Sequence, residues 1–343
     1  MIDSAPDLLR LVVLPVFAWA AWRDINTRRL PNRLWPPLVG LGVVLLVWES
    51  IQLAPFATIE GRLFLVQVGV SLLFIAPLGY AFWWLGGFGG ADAKALITLA
   101  ILLPTFPSYA LGSLHLPLVE TPIGVFSLTV LTNTVLFAAA VPIVLAARNL
   151  STGDIEPRAM FFARRVDRES IPDRHGTLFE TPDGITRGGL DLDALRMYLR
   201  WRGSTLAEVR ADPEAHRDPA SVTETYEPTD GGTHVGPRTD GGRVDTNSTE
   251  PAESAAVDSG SDASAGVGDP WAAERFFDSI DGTAYGSSPE QLRQALELLS
   301  TTERQQVWVS PGLPFVVPMF VGLLCAFTYG DLLFGAFGWF GLF

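Results

Sequence analysis

Apolar residues along this chain fall in long blocks, not at the two-residue spacing of a half-buried strand or the spacing of a surface helix. Six blocks, at about 6–22, 34–51, 63–85, 91–104, 123–147 and 313–333, approach the roughly 20 apolar residues that a helix needs to cross a bilayer. The fourth is short and runs into a stretch broken by Pro104, Pro107 and Pro117. Residues 334–343 stay apolar and could extend the last helix along an interface. Between the fifth and sixth blocks the pattern changes. Residues 151–210 mix apolar and charged groups and could fold, and Leu190, Leu192, Leu195, Met197 and Leu199 predict a helix reaching Trp201. Short helices are expected at 271–279 and 288–304, the second from Pro289 and Glu290 followed by Leu292, Leu296 and Leu299. Residues 211–270 are rich in Asp, Glu, Ser, Thr, Gly and Pro and almost free of aromatics. Such a tract buries too little apolar surface to offset ordering entropy, so disorder is expected there. The architecture expected is an all-α integral membrane protein with about six transmembrane helices and a large, partly disordered acidic insertion. Its parts are a membrane core at 1–148, the insertion at 149–310 and a last span within 311–343.

Charge sharpens that division. The chain is 48% hydrophobic with a mean hydropathy of +0.27, yet its net charge is −13. Residues 149–310 hold 29 of the 37 acids and 16 of the 24 bases, so the insertion carries the whole excess and the rest is neutral. All the basic residues but Lys94 are arginine. An acidic, lysine-poor composition resembles that of proteins from salt-loving archaea, whose charged surfaces rely on salt to screen self-repulsion. Acids rather than bases precede the first apolar block, so a cleavable signal peptide is not expected.

The basic residues also set an orientation. With the N-terminus outside, Arg23, Arg28, Arg29, Arg33, Lys94 and Arg148 fall on inner loops and only Arg10 and Arg62 fall outside. The insertion is then cytoplasmic. Asp3, Asp7, Glu49, Glu60, Glu120 and Asp331 fall at the outer face, which leaves Asp24 and Asp92 as the inner-face acids of the membrane part. Both end apolar spans, where a carboxylate is costly and usually functional.

Each aspartate has a distinctive setting. Asp24 ends the first span and is followed by Arg28, Arg29, Leu30, Pro31 and Asn32, with Pro31 forcing a break. Asp92 follows Gly86-Gly87-Phe88-Gly89-Gly90-Ala91, a backbone bare enough for an extended peptide to approach. Two carboxylates held close together share one proton, which supplies an acid and a base at one pH. Such a pair can activate water and polarise a peptide carbonyl. Lys94 is positioned to bias Asp92 or to anchor the inner face, and Arg28, Arg29 and Arg33 read as topology anchors or as holders of substrate or lipid phosphates. Trp35, Trp83 and Trp84 read as interfacial residues.

The pattern Asp24…Arg29-Leu30-Pro31-Asn32, then Gly89-Gly90-Ala91-Asp92-Ala93-Lys94, resembles the archaeal prepilin and preflagellin peptidases. These are intramembrane-type aspartic proteases of the GxGD class, shared with the presenilins. The segment Pro311-Gly312-Leu313-Pro314-Phe315-Val316-Val317-Pro318 is similar to the one opening that family's last span. The resemblance is read over 1–148 and 305–333 but not over the acidic tract. Ala91 stands where the class name has a second glycine, and archaeal members are similar in tolerating a small apolar residue there. The resemblance implies catalysis by Asp24 and Asp92, with Gly89, Gly90, Ala91, Lys94, Pro31 and Asn32 shaping the site. It implies cleavage of the short basic leader of type IV pilins and archaellins at the cytoplasmic membrane edge. Prepilin and prearchaellin-like signal peptides and membrane lipid are then the partners, with no nucleic acid. No cofactor or metal is implied. The cysteine cluster that accompanies methylation in bacterial relatives is missing, so no methyltransferase activity is expected.

Other chemistries find less support in the sequence. A Gly-x-Ser-x-Gly nucleophile turn and a His-Glu-x-x-His zinc helix are both absent. His175, His216 and His234 lie in the insertion and Cys325 is alone, which gives a weak basis for a metal site. An ion- or proton-coupled transporter using the inner aspartates is the alternative, although no repeated halves are visible. A membrane scaffold carrying the insertion is a third reading.

Overall fold

The computed structural model describes residues 5–228, 231–232, 268–280, 284–312 and 314–341. The chain divides into two compact units, Met1–Pro142 with Leu313–Phe343, and Ile143–Gly312.

In the first unit α1 (Ala5–Arg10) and α2 (Val13–Thr27) run end to end. A 3-10 turn at Asn32–Leu34 leads into α3 (Trp35–Leu53), with Pro36 in the first helical turn, where a missing N–H costs nothing. Helices α4 (Ile59–Val70) and α5 (Ala76–Trp84) are joined by a π-turn at Ser71–Ile75. Helix α6 (Gly90–Leu102), a hairpin of β1 (Tyr109–Leu111) and β2 (Leu114–Leu116), and α7 (Phe126–Thr152) follow. The later helices of the chain include α13 (Val316–Thr328) and α14 (Leu332–Trp339).

Among the described residues, four helical runs are long and apolar enough to cross a membrane: Ala5–Thr27, Asn32–Leu53, Ile59–Trp84 and Phe126–Thr152. Large apolar side chains such as Val44, Ile51, Leu73, Phe74 and Trp84 point outward from these runs. Water would not tolerate so much contiguous apolar surface, and lipid does. The protein is therefore a membrane protein. The fourth and sixth expected spans correspond to α6 and α13, of 13 residues each. At about 1.5 Å per residue each is roughly 20 Å long, short of a hydrocarbon core of about 30 Å.

Helix α6 is short because it is central. Ala93, Ala95, Leu96, Thr98, Leu99, Ala100 and Leu102 are all buried, so nearly its whole circumference faces protein. Its small residues and Gly42 of α3 let the backbones approach. A Cβ on Gly42 would stand 3.0 Å from Leu102 Cα. Phe17, Leu45, Ile75, Leu96, Leu99, Phe126 and Leu323 fill the core around it. Trp35, read from sequence as an interfacial residue, is instead buried edge-on against Phe17, with ring centroids 6.2 Å apart.

The second unit departs from the all-α expectation. Strands β3 (Arg164–Asp167), β4 (Thr177–Leu178) and β7 (Gln306–Ser310) form an antiparallel sheet in the order β3-β7-β4. A two-stranded ribbon, β5 (Glu180–Thr181) and β6 (Gly184–Ile185), lies between β4 and β7 in sequence. Strands this short leave little alternation to read, and in β7 Val307, Trp308 and Val309 are consecutive and all buried. The helices are α8 (Leu192–Arg202), α9 (Leu206–Ala211), α10 (Pro213–Arg217), α11 (Ala273–Asp278) and α12 (Pro289–Thr301). Thus α8, α11 and α12 match the helices expected near 190–201, 271–279 and 288–304. A core of Leu195, Tyr198, Trp201, Trp271, Phe276, Leu296 and Val307 joins them. The tract expected to be disordered from 211 begins instead with α10 and a 3-10 turn at Pro219–Ser221, and Val222 enters that core. One apolar residue, Val222, and the ion pair of Arg217 with Glu297 at 2.6 Å tie this polar stretch down. Residues 233–267 of that tract lie outside the described residues, as do His234 and the sequon-like Asn247-Ser248-Thr249.

Candidate active site

Asp24 is on the inward face of α2. The buried residues of that helix are Val13, Phe17, Ala20, Ala21 and Asp24, the repeat of a single helical stripe. A carboxylate thus occupies a core position at the last turn, 7% exposed. It forms no hydrogen bond or ion pair with a described residue. Arg28 stops the helix in the left-handed region at φ 55°, its N–H donating to Asp24 O at 3.0 Å. The Arg23 guanidinium Nε donates to Arg29 O at 3.2 Å, and Thr27 Oγ1 donates to Arg23 O at 3.0 Å. These bonds fold the basic loop back over the helix end.

Asp92 is the third residue of α6. Gly89 precedes the helix in an extended conformation and has no side chain with which to cap it. Asp92 Oδ2 accepts from the Gly89 N–H at 3.1 Å. A Cβ on Gly89 would sit 3.0 Å from that oxygen, so the bare backbone is what leaves the carboxylate room to turn back. Gly86 needs its freedom for another reason, a φ of +75° that L side chains rarely adopt. Nothing lies within 4 Å of the missing Cβ of Gly86, and Gly90 has only Trp83 Nε1 at 3.9 Å. Helix packing therefore does not account for these two glycines, and they leave exposed backbone beside Asp92.

The fold brings the two aspartates together. The charge of Asp24 acts on Asp92, and the guanidinium of Arg28 acts on both. Arg28, read from sequence as a topology anchor, is the cation of the site. The signal available for it was only its position one helical turn after Asp24. Lys94 goes elsewhere, with Nζ donating to Asn32 Oδ1 at 2.6 Å. That bond links the start of α6 to the turn before α3. Pro31 and Asn32 are exposed beside it, and Ala91 packs against the core. Phe88 of the glycine loop stacks on Phe82 and Phe315, at 4.9 and 4.7 Å between centroids. The segment leading into α13 is thereby held at the same loop.

Of the other candidates, His175 lies 3.3 Å from Asp193, and His216 Nδ1 lies 2.8 Å from Asp212 O, both in the second unit. Among the described residues no group of three or more His, Cys, Asp or Glu is placed to hold a metal ion.

Residues 11–146, which contain both aspartates, match the type IV leader peptidase family. Residues 245–332 match a second family model, the archaeal peptidase A24 C-terminus, type II. The chain is similar to archaeal preflagellin peptidases. It is 30% identical over 153 residues to a preflagellin peptidase of Methanococcus maripaludis, covering 45% of this chain and 61% of the relative. It is also 30% identical over 160 residues to a preflagellin peptidase of Methanococcus voltae, covering 47% and 63%. The chain thus spans about three fifths of the length of these curated relatives. The second match corrects the sequence-based limit, because family likeness begins at 245, inside the acidic tract, and not at 305. The match includes α11, α12 and β7, whose Phe276, Leu292, Leu296 and Val307 build a core that the surrounding acidic composition masks.

Proposed function

We propose that this chain is a membrane aspartic endopeptidase that removes the short basic leader of type IV pilin-like and archaellin precursors. The observation that carries this reading is the meeting of two carboxylates from separate helices, Asp24 and Asp92, at a glycine loop with open backbone. The pair holds one proton between them. The ionised aspartate takes a proton from water as that water attacks, and the protonated one polarises the scissile carbonyl. The precursor lies extended along Gly86–Gly90, and Lys94 and Asn32 tie the start of α6 to the loop between α2 and α3. The charge bias of the loops supports a site at the cytoplasmic face of a multi-pass protein with its N-terminus outside. The leader is then cut before the precursor's apolar helix enters the membrane.

The test is cleavage of a synthetic precursor by the wild type, Asp24→Asn and Asp92→Asn, all as full chains in detergent. Loss of cleavage in both variants, with unfolding unchanged, supports the pair. Cleavage retained in either variant rejects it.

A further inference from the structure

The second unit carries one patch whose chemistry is opposite to that of its surroundings. Residues 149–310 are strongly acidic, yet 157–166 hold Arg158, Arg164 and Arg165 and no acid. Arg148 on the last turns of α7, Arg174 and Arg187 are exposed as well. Among the described residues, Arg148, Arg158, Arg164, Arg174 and Arg187 form no ion pair, whereas Arg165 meets Asp154 at 3.3 Å. Arg164 is held below the usual arginine range, first by burial and then by the guanidiniums of Arg148 and Arg174. Arg148 and Arg174 are each close enough to act on Arg164, in a stretch whose residues 157–166 hold no acid, and such a cluster of guanidiniums favours anions.

Apolar side chains stand exposed in the same segment. Ile155 is 66% exposed, and Phe161 and Phe162 are 43% each. The Arg187 guanidinium lies 4.7 Å from the Phe162 ring centroid. The segment is rigid at its root. Buried Asn149 donates from Nδ2 to Met160 O and Ala163 O, at 2.8 Å each, and Asp154 N donates to Asn149 O at 2.8 Å. Asn149 belongs to α7, which is long and apolar enough to cross a bilayer. The phenylalanines are therefore pinned to the end of a membrane span, where exposed aromatics and arginines together match the interfacial zone.

We propose that the face bearing Ile155, Phe161 and Phe162 with Arg148, Arg164 and Arg174 lies on an anionic bilayer surface, the rings in the headgroup layer and the guanidiniums on lipid phosphates. The contact holds the acidic unit by this basic face. This inference needs the membrane span but not the peptidase reading.

The experiment compares amide hydrogen exchange of the full chain in nanodiscs of phosphatidylcholine and of phosphatidylglycerol. Exchange over 155–165 is expected to slow about tenfold or more in phosphatidylglycerol. The triple variant Arg148→Gln/Arg164→Gln/Arg174→Gln should lose that slowing, and the corresponding Arg→Lys triple should keep it. Exchange in α12 (Pro289–Thr301) reports whether each variant stays folded. Equal exchange of the wild type in the two lipids overturns the proposal. So does equal slowing by inorganic phosphate in phosphatidylcholine discs, which would mark a free-phosphate site. Slowing that follows protein concentration rather than lipid would mark self-association and would also overturn it.

Discussion

The membrane unit handles charge differently at its two ends. At one end Arg10 is 1% exposed and fully engaged: it donates to Asp7 at 3.0 Å, to Glu49 at 2.7 Å and to Leu102 O at 3.2 Å. Tyr109 adds a hydrogen bond to Asp7 O at 2.7 Å. At the other end Asp24 has no fixed partner, Asp92 has one backbone N–H, and Arg28 acts on both through charge. The same helices connect the two ends. The run α1–α2 carries Arg10 and Asp24, α3 carries Glu49 and follows Asn32, and α6 runs from Asp92 to Leu102. A buried ion cluster with every group satisfied is a structural clamp. A buried carboxylate left without a partner is free to exchange a proton with a substrate or water. The clamp sets the positions of three helices at one end, and so of Asp24 and Asp92 at the other.

The sharpest way to break this comparison is to swap the effects. Asp24→Asn and Asp92→Asn should each lower leader cleavage at least about a thousandfold, with melting in detergent unchanged. A large loss of stability would make Asp24 a structural residue instead. Arg10→Met should do the reverse, costing about 3–5 kcal/mol of stability because Asp7 and Glu49 are left buried without their cation. Cleavage per folded molecule should persist below the unfolding transition. Adding Asp7→Asn and Glu49→Gln should restore much of the loss, and no restoration would argue against the clamp.

A carboxylate in the second unit extends the contrast. Burial raises Asp191, the N-cap of α8, from 3.8 to about 6. Because its folded value exceeds the unfolded one, its stabilising contribution is complete below about pH 4 and is lost as pH rises through about 6. Asp191→Asn should cap α8 equally well and raise the stability of that unit at pH 8 by on the order of 1–3 kcal/mol. Amide exchange over Leu192–Arg202 against pH reads this out, and identical pH dependence in the variant would refute it. The smallest effect is expected at the exposed pair of Lys94 and Asn32. Lys94→Ala and Asn32→Ala should each lower cleavage by up to about fivefold, since exposed charged contacts contribute about 1 kcal/mol or less. The double variant should be no worse than either single one. Additive losses would mean that the pair does not act as a unit.

Much of the membrane part was legible in the sequence because apolar blocks are long and lipid demands them. The sequence also marked Asp24 and Asp92, since acids at span ends are rare, and the glycine run before Asp92. Four of the six expected spans are long apolar helices, and hydropathy alone does not separate a lipid-facing helix from a central one such as α6. The sequence missed the small sheet, whose strands are too short for a period, and the core that reaches Val222. It left Lys94 between biasing Asp92 and anchoring the inner face, whereas the amine donates to Asn32, and it read Arg28 as an anchor. Side-chain reach and helix phase decide those pairings, and spacing along the chain does not carry them.

By itself, then, the sequence determined what kind of solvent each region requires: lipid for the apolar blocks, water for the acidic insertion. It also determined which residues carry unusual chemistry. Only the tertiary structure decided which charges meet. Coulombic interaction depends on distances of a few ångströms, and those are set by how α2, α3 and α6 pack together. That packing satisfied the acids around Arg10, left Asp24 near Arg28 without a fixed partner, and gave Asp92 one backbone N–H.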